Sequence, residues 1–380
     1  MFDYKLAIHL MLHAFSFRKG SLRYPTTMRL IKVLVALPLF LLLTLTNRFF
    51  MLFDHLFFPA FRKMNVRNMV LITGVPRSAT TYLHHLLGED TQNFTCFKLW
   101  EILFAPSIIQ KYIFSWMLKG DRRIGRPLYR ASLQYDRLLT PIARLHETGL
   151  SKPEEDEILL LFAFASVYLA YFFPELPSVD KHLLFDEQIR KTKRRKIMKF
   201  YKRCIQRHVY FYDRHEKKCF LSKNPSFISK TTSVSETFEN ARLIYMLRSP
   251  LRTIPSTINL NKNVYPFIPG KLSTNPLAAE TRDTIVRWYK MADKSIANHW
   301  QQNSITIPFR KITGNPVDTV SAIYSFLRLT RPDNLNQLLE VEQKKNLTHE
   351  TPCEYTNGDE EDLINRELGF IVNGPFRDDL

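Results

Sequence analysis

MVLITGVPRSATTYLHHLL, Met69 to Leu87, is the stretch whose reading decides the fold. Met69-Val70-Leu71-Ile72 form a short apolar run that enters Thr73-Gly74, as a buried parallel strand does. A Pro-Arg-Ser turn follows, and Thr80-Thr81 open an amphipathic run, so a helix is predicted over Ser78–Leu87. Strand, tight loop and helix make the local plan of a phosphate-binding loop, whose backbone N–H groups face an anion at the helix N-terminus. Measured against G-x-x-x-x-G-K-S/T from Gly74, Ala79 stands at the second glycine and Thr80 at the lysine. The lysine that reaches the outer phosphates of a triphosphate is therefore missing, and no carboxylate follows a strand as a magnesium holder. Arg77 in the loop and the hydroxyls of Ser78, Thr80 and Thr81 suit a tetrahedral anion held without a metal. A magnesium-dependent kinase is disfavoured.

Downstream, strands and helices alternate. Cys219–Ser222, Arg242–Leu247 and Ser304–Pro308 are short apolar runs bounded by turn residues. Glu155–Tyr171, Lys193–Arg214, Ser226–Phe238, Leu251–Asn259, Leu277–Gln302 and Pro316–Leu327 read as helices. The alternation predicts an α/β domain over residues 66–380: a P-loop-like parallel β-sheet flanked by helices, capped by a basic helical insertion at about 98–217. The run Arg190–Arg203 reads as a basic helix, suited to an anionic membrane or to a solvated face.

Upstream, residues 1–65 form a hydrophobic leader. Val33–Thr46 carries no charge but contains Pro38; Phe49–Phe61 is apolar again, broken by Asp54 and His55. The first run is shorter than the roughly 20 apolar residues of a spanning helix. It lies too far from the N-terminus, with no small-residue cleavage site, for a signal peptide. Arg18, Lys19, Arg23 and Arg29 precede these runs, and Arg62, Lys63 and Arg67 follow, so charge does not orient the segment. The expectation is a bent hydrophobic hairpin or interfacial anchor on a membrane surface, with one spanning helix as the competitor and a core helix as the alternative.

The composition, 45% hydrophobic and 24% charged, is that of a globular chain. A net charge of +18 favours anionic partners such as phosphorylated cofactors and lipid surfaces. No zinc-finger spacing or aromatic-basic signature is present, so no nucleic acid partner is expected. Cys96, Cys204, Cys219 and Cys353 are scattered, in neither metal-site nor disulfide spacing. Sequons begin at Asn93 and Asn346 and matter only in a secretory compartment.

The loop V-P-R-S-A-T-T-Y-L-H-H-L-L resembles the 5′-phosphosulfate loop of the sulfotransferases, in its P-R-S-G-T-T variant. Those enzymes use 3′-phosphoadenosine 5′-phosphosulfate (PAPS). ARLIYMLRSPLRTIPST, Ala241 to Thr257, is similar to their 3′-phosphate motif: a strand, an arginine, then a serine eight residues on, here Arg248 and Ser256. SITIPFRKITGNPVDTVSAIYSFLRL, Ser304 to Leu329, resembles a late strand-loop-helix of the family, with Arg310-Lys311 where an acidic pair is common. The resemblance runs from Met69 to the C-terminus, and the leader is similar to that of a membrane-associated branch.

The resemblance implies that Pro76, Arg77, Ser78, Ala79, Thr80, Thr81 and Tyr82, with Arg248 and Ser256, bind PAPS without a metal. Tyr82 stands where some members stack an aromatic ring on adenine. Ala79 replaces a family glycine, a residue that permits close approach or positive φ. Sulfuryl transfer requires a base, cations for the moving charge and alignment of the reactants. Arg77 is one candidate cation. Lys223, in LSKNPSF, is the other, by similarity to a K-x-P stretch. Glu101, in KLWE and twenty-four residues after Arg77, is the candidate base, with desolvation behind Trp100 expected to raise its pKa. KPEEDEILL, Lys152 to Leu160, resembles a recurring family motif; Glu155 and Asp156 read first as helix caps and second as catalytic groups. His84 and His85 read as packing or cleft-lining residues.

The expected function is sulfuryl transfer from PAPS to a hydroxyl or amine of a small-molecule, lipid-like or glycan acceptor. The expected site is membrane-associated with the catalytic domain cytoplasmic, a Golgi-type lumen being the alternative. One competing reading is a catalytically impaired nucleotide- or membrane-binding scaffold, resting on Ala79. Another is a membrane acyltransferase using His85 and Asp90 in H-x4-D spacing, which leaves Arg248 and Ser256 without a use. Oligomeric state is not readable at this level.

Overall fold

The computed structural model describes residues 3–374 other than 20, 22, 67, 139–148, 265–273 and 347–357. Its sheet contains β1 (Met69–Gly74), β2 (Phe94–Thr95), β3 (Cys219–Lys223), β4 (Arg242–Leu247) and β5 (Ser304–Pro308). All pairings are parallel, in the order β2-β3-β1-β4-β5. Two helices, α1 (Tyr4–Leu12) and α2 (Thr27–Phe57), precede the sheet. After β1 comes α3 (Thr80–Gly88), and α4 (Leu99–Phe104), α5 (Ile108–Arg123) and α6 (Lys191–Tyr212) lie between β2 and β3. Between β4 and β5 stand α7 (Pro250–Val264) and α8 (Thr274–Ser295), and α9 (Pro316–Leu327) follows β5 shortly after.

Both faces of the sheet are covered, which is why β1 is apolar without alternation. Met69 and Leu71 point to one face, where Ile197 and Tyr201 of α6 and Ile285 and Tyr289 of α8 pack. Val70 and Ile72 point to the other, where Leu83 and Leu87 of α3 meet Val320 and Ile323 of α9. Helix, sheet and helix thus form three layers. The helix predicted over Pro316–Leu327 and the strands over Arg242–Leu247 and Ser304–Pro308 have those bounds.

Two helical expectations are corrected. Glu155–Tyr171 is not one helix but a 3-10 turn, Asp156–Ala163, stopped by Phe164 at φ 53°, followed by a short helix Leu169–Phe172. Tertiary hydrogen bonds override the local periodicity: the Glu157 amide donates to Asn224 Oδ1 (2.9 Å), and the Val167 amide donates to Glu157 Oε1 (3.1 Å). Likewise Ser226–Phe238 begins as a 3-10 turn, Pro225–Lys230, before the helix Thr231–Thr237.

The leader also departs from expectation. α2 runs 31 residues straight through Pro38, with no hairpin. Proline removes one helical hydrogen bond, and lengthwise anchoring to the body holds the rest. Asn47 Nδ2 donates to the Leu103 carbonyl (2.9 Å), Arg48 Nη2 to the Phe162 carbonyl (2.7 Å), and Arg207 Nε to Asp54 (2.8 Å).

Pairing register decides what emerges at the carboxyl edge of the sheet. Ile72 is level with Lys223, and Gly74 with Met246. The loop after β1, the end of β3 and the Arg248 turn after β4 therefore open on one crevice, the usual ligand position in an open α/β sheet.

Candidate active site

The loop from Gly74 to Thr80 is a tight cradle. A Cβ on Gly74 would lie 2.4 Å from the Met246 carbonyl oxygen and 2.7 Å from Ser78 Oγ, so glycine is required by the closeness of β4. Arg77 and Ala79 both adopt left-handed backbone, at φ 70° and 66°. Alternation of left-handed residues with their neighbours turns successive N–H groups toward one concavity. Ser78 Oγ donates to the Val75 carbonyl (2.7 Å), bracing the loop from inside. Thr80 then begins α3, adding a helix N-terminus. The left-handed Ala79 gives a physical reason for a glycine preference there, since a Cβ disfavours that region.

Two segments far apart in sequence, the loop after β1 and the turn after β4, meet here. Arg77 Nε donates to Ser256 Oγ (3.1 Å), and Arg248 Nη1 donates to the Arg77 carbonyl (2.7 Å). Arg248 lies with its guanidinium carbon 4.0 Å from the Phe309 ring centroid, and its own carbonyl accepts from Tyr289 Oη (2.5 Å). Arg77 is exposed and Arg248 half-buried. Tyr82 is half-buried and packs against the core shared by α3 and α9.

Lys223 adjoins this group from β3. Its buried ammonium donates to Thr81 Oγ1 (3.2 Å) and Glu155 Oε1 (2.9 Å), with Glu154 Oε1 at 3.9 Å. Tyr168 Oη also donates to Glu155. Below them lies a buried network. Tyr201 Oη (2.8 Å), Ser222 Oγ (3.0 Å) and Asn224 Nδ2 all donate to Asp156. Burial pushes the Asp156 carboxyl up to about 7 against those three hydrogen bonds. Thr73 Oγ1 donates to the Asn224 carbonyl (2.7 Å), tying this network to β1. His84, on α3, is buried; burial first, then Lys223 and His85, hold its ring well below the usual histidine range.

Glu101 stands in neither group. It is buried on α4, accepting from Lys111 Nζ (2.6 Å) and from the Lys98 amide (2.9 Å), with His208 Nδ1 at 3.7 Å. Burial acts to raise its pKa, but Lys111, His208 and these hydrogen bonds outweigh it and hold the carboxyl below the usual range. That is the opposite sign to the one expected from Trp100 alone. The KPEEDEILL run supplies what Glu101 does not: Glu155 beside Lys223, and Asp156 beneath it. Its density of acids before a buried apolar run was the available signal. Asp90, of the H-x4-D spacing, is occupied as a turn cap, accepting from the Gln92 and Asn93 amides (3.0 Å each) and from Tyr324 Oη (2.6 Å).

A parallel sheet whose central strand opens into a tight loop, with Arg77, Lys223 and Arg248 grouped around it, defines an open-sheet α/β protein. The model of the Sulfotransferase family matches residues 69–333, and the chain belongs to that family. It is 25% identical, over 271 residues, to the omega-hydroxy-beta-dihydromenaquinone-9 sulfotransferase Stf3 of Mycobacterium bovis, and equally to that of Mycobacterium tuberculosis. The match covers 68% of this chain and 62% of either relative. The fold is similar to the crystal structure of sulfotransferase STF1 from Mycobacterium tuberculosis, with a TM-score of 0.67 at 19% identity over 96% of this chain and 91% of that one. Sulfotransferase STF9 from Mycobacterium avium gives 0.63 at 16% identity, over 87% and 82%.

Proposed function

We propose that this chain transfers a sulfuryl group from PAPS to a hydroxyl of a lipid-like acceptor at a membrane surface. The observation that carries the reading is the joining of two anion motifs through Arg77, Ser256 and Arg248. A donor with a phosphosulfate at one end and a 3′-phosphate near it matches two adjoining anion sites; an acyl donor has no use for them. The cradle suits such a group: Gly74 lets the loop close tightly against β4, and the residues around it supply N–H donors and three cations.

In this reading Pro76, Ser78, Ala79, Thr80 and Thr81 shape the phosphosulfate cradle, Arg248 and Ser256 hold the 3′-phosphate, and Tyr82 borders the base. PAPS supplies an activated sulfuryl group whose leaving group is a phosphate. Arg77 and Lys223 neutralise charge on the transferring and departing oxygens. Glu155 takes the acceptor's proton, in place of Glu101, because it is the carboxylate in contact with the site lysine. Glu101 becomes a positioning residue that holds the N-terminus of α4.

The lipid-like acceptor draws support from Stf3, whose name specifies a menaquinone-derived substrate. The catalytic domain is placed on the cytoplasmic side as part of this proposal. In the first sequon Asn93 Nδ2 donates to Asp90 (2.6 Å) and the Thr330 carbonyl (2.9 Å), and Thr95 Oγ1 lies 2.8 Å from His208 Nε2. The second sequon extends outside the described residues.

The test is thermal unfolding of the detergent-solubilised chain with adenosine 3′,5′-bisphosphate, beside radiolabelled transfer from PAPS into a membrane lipid extract. At 100 times Kd the nucleotide adds about 2.7 kcal/mol of apparent stability. Arg248→Ala removes that gain. No gain in wild type, nor in Ala79→Gly, overturns the reading.

A further inference from the structure

The long apolar helix is polarised the wrong way round for a soluble protein. Its buried residues are Arg29, Val33, Thr44, Asn47, Met51 and Asp54. At about 100° per residue these fall on one stripe about 80° wide, running the helix's whole length. The inward stripe is largely polar, and each charge on it is bonded. Arg29 Nη2 donates to the Ala14 carbonyl (2.7 Å), Gln110 Nε2 donates to Asn47 (2.8 Å), and Asp54 pairs with Arg207 and accepts from Ser107 Oγ (2.8 Å). The opposite half is apolar and bare, with Ile31, Leu42, Leu45, Phe49, Leu52 and Leu56 all more than half exposed.

We infer that α2 lies in the plane of one anionic membrane leaflet, half sunk, and does not cross the bilayer. Four observations lead there. By length and composition α2 is able to cross, but a crossing helix must meet lipid on all sides, and α2 is bound to the protein from Arg29 to Asp54. Detaching it would strand Arg29, Asn47 and Asp54 in hydrocarbon, where bare polar groups are costly. Its 31 residues measure about 46 Å, well beyond a hydrocarbon core of about 30 Å. Basic residues flank both ends alike, as expected when both ends stay on the same side.

The surroundings select an anionic bilayer as the occupant. Exposed Phe17 follows α1, which packs on the first half of α2, and exposed Trp116 projects from α5, which is tied to its second half through Asp54 and Ser107. Aromatic rings of this kind anchor at headgroup level. A cleft beside α1 is lined by Lys5, His9, Lys181, Arg190, Lys193 and Lys196, with Asp3 paired to Lys193. A stripe of apolar side chains beside a cationic cleft is the pattern of a helix lying on anionic lipid. Arg48 and Phe40 of the same helix reach Phe162 and Phe164, which end the segment that begins beside Glu155. A lipid alcohol held in that leaflet would therefore lie near the acidic edge of the site.

This inference deepens only the membrane part of the proposed function and stands without sulfuryl transfer. The test uses the full chain and vesicles of phosphatidylcholine with or without phosphatidylserine. Wild type floats with the anionic vesicles, and Leu42→Glu/Leu45→Glu weakens partition by about tenfold or more at an unchanged melting temperature, because neither side chain packs on the body. Brominated-lipid quenching of a fluorophore placed singly at Ile31, Leu42 or Leu56 in otherwise unaltered protein reports equal, shallow depths. A deep Leu42 between two shallow ends shows a spanning helix and overturns the inference. Failure of wild type to float overturns both the inference and the membrane part of the function. Loss of a dimer in the double variant, with vesicle binding retained, assigns the stripe to a second copy of the chain and also overturns it.

Discussion

Two buried lysine–glutamate pairs, chemically identical, have different surroundings. Lys111 and Glu101 meet at 2.6 Å within the helical layer, where the ammonium lies 5.3 Å from the Phe97 ring, 5.8 Å from Trp100 and 5.4 Å from Tyr212. The second Glu101 oxygen is taken by the Lys98 amide. Lys223 and Glu155 meet at 2.9 Å at the sheet edge, and there the ammonium shares itself with the hydroxyl of Thr81 in the first turn of α3. An aromatic cage closes the first pair; the second borders the loop proposed to cradle the donor, where a bound anion would compete for the lysine. A buried pair is a weak argument for function by itself, and it is the neighbours that separate a structural pair from a chemical one.

The largest expected effect breaks the open pair. Glu155→Gln lowers the transfer rate about 10²–10⁴-fold, the usual contribution of a general base, while bisphosphate binding by calorimetry is retained. A rate near that of wild type removes Glu155 from the mechanism. Breaking the closed pair has the other signature. Glu101→Gln leaves Lys111 buried and unmatched and costs about 3–5 kcal/mol in denaturant unfolding, with little change in turnover per folded molecule. A stable Glu101→Gln protein with poor turnover would return the base to Glu101.

The Asp156 network beneath the open pair sharpens the contrast through pH. Its folded pKa, about 7, is raised above the ordinary 3.8 chiefly by burial. The folded state therefore holds the proton more tightly, and the stabilisation is full below about pH 4 and lost as pH rises toward 7, by on the order of a few kcal/mol. Asp156→Asn flattens that slope in unfolding curves; an unchanged slope would show that other groups set it. The smallest effect is in the loop. Ala79→Gly relieves a left-handed alanine and adds about 1 kcal/mol, less the extra freedom of glycine in the unfolded chain. Any gain in bisphosphate affinity beyond that would show that the methyl group had been crowding the anion.

The grouping of the candidate site was partly legible before the fold was known, because a strand–loop–helix is contiguous in sequence. Gly74, Arg77 and Ala79 sit within six residues, so their pattern is read in one stretch, while the left-handed backbone of Arg77 and Ala79 was seen only in the fold. Arg248 and Ser256 were legible for the same reason, as a strand end and the helix after it. Glu155 was seen but read chiefly as a cap, since a helix was expected where a 3-10 turn stands. The role proposed for it rests on Lys223, sixty-eight residues away in sequence. Glu101 was expected to be desolvated behind Trp100 with a raised pKa, and the lysine that reverses that sign is one helix further on.

By itself, then, the sequence determined the parallel α/β fold, the strand–loop–helix of the candidate site and the apolar character of the leader, all written in neighbouring residues through periodicity and turn chemistry. Only the tertiary structure decided which carboxylate faces Lys223, and which side of α2 faces the body. Those choices depend on the packing of distant segments, where the desolvation of a charge and the partner that offsets it are settled together. Residue type sets what a side chain can do, and the burial and neighbours it acquires on folding set what it does.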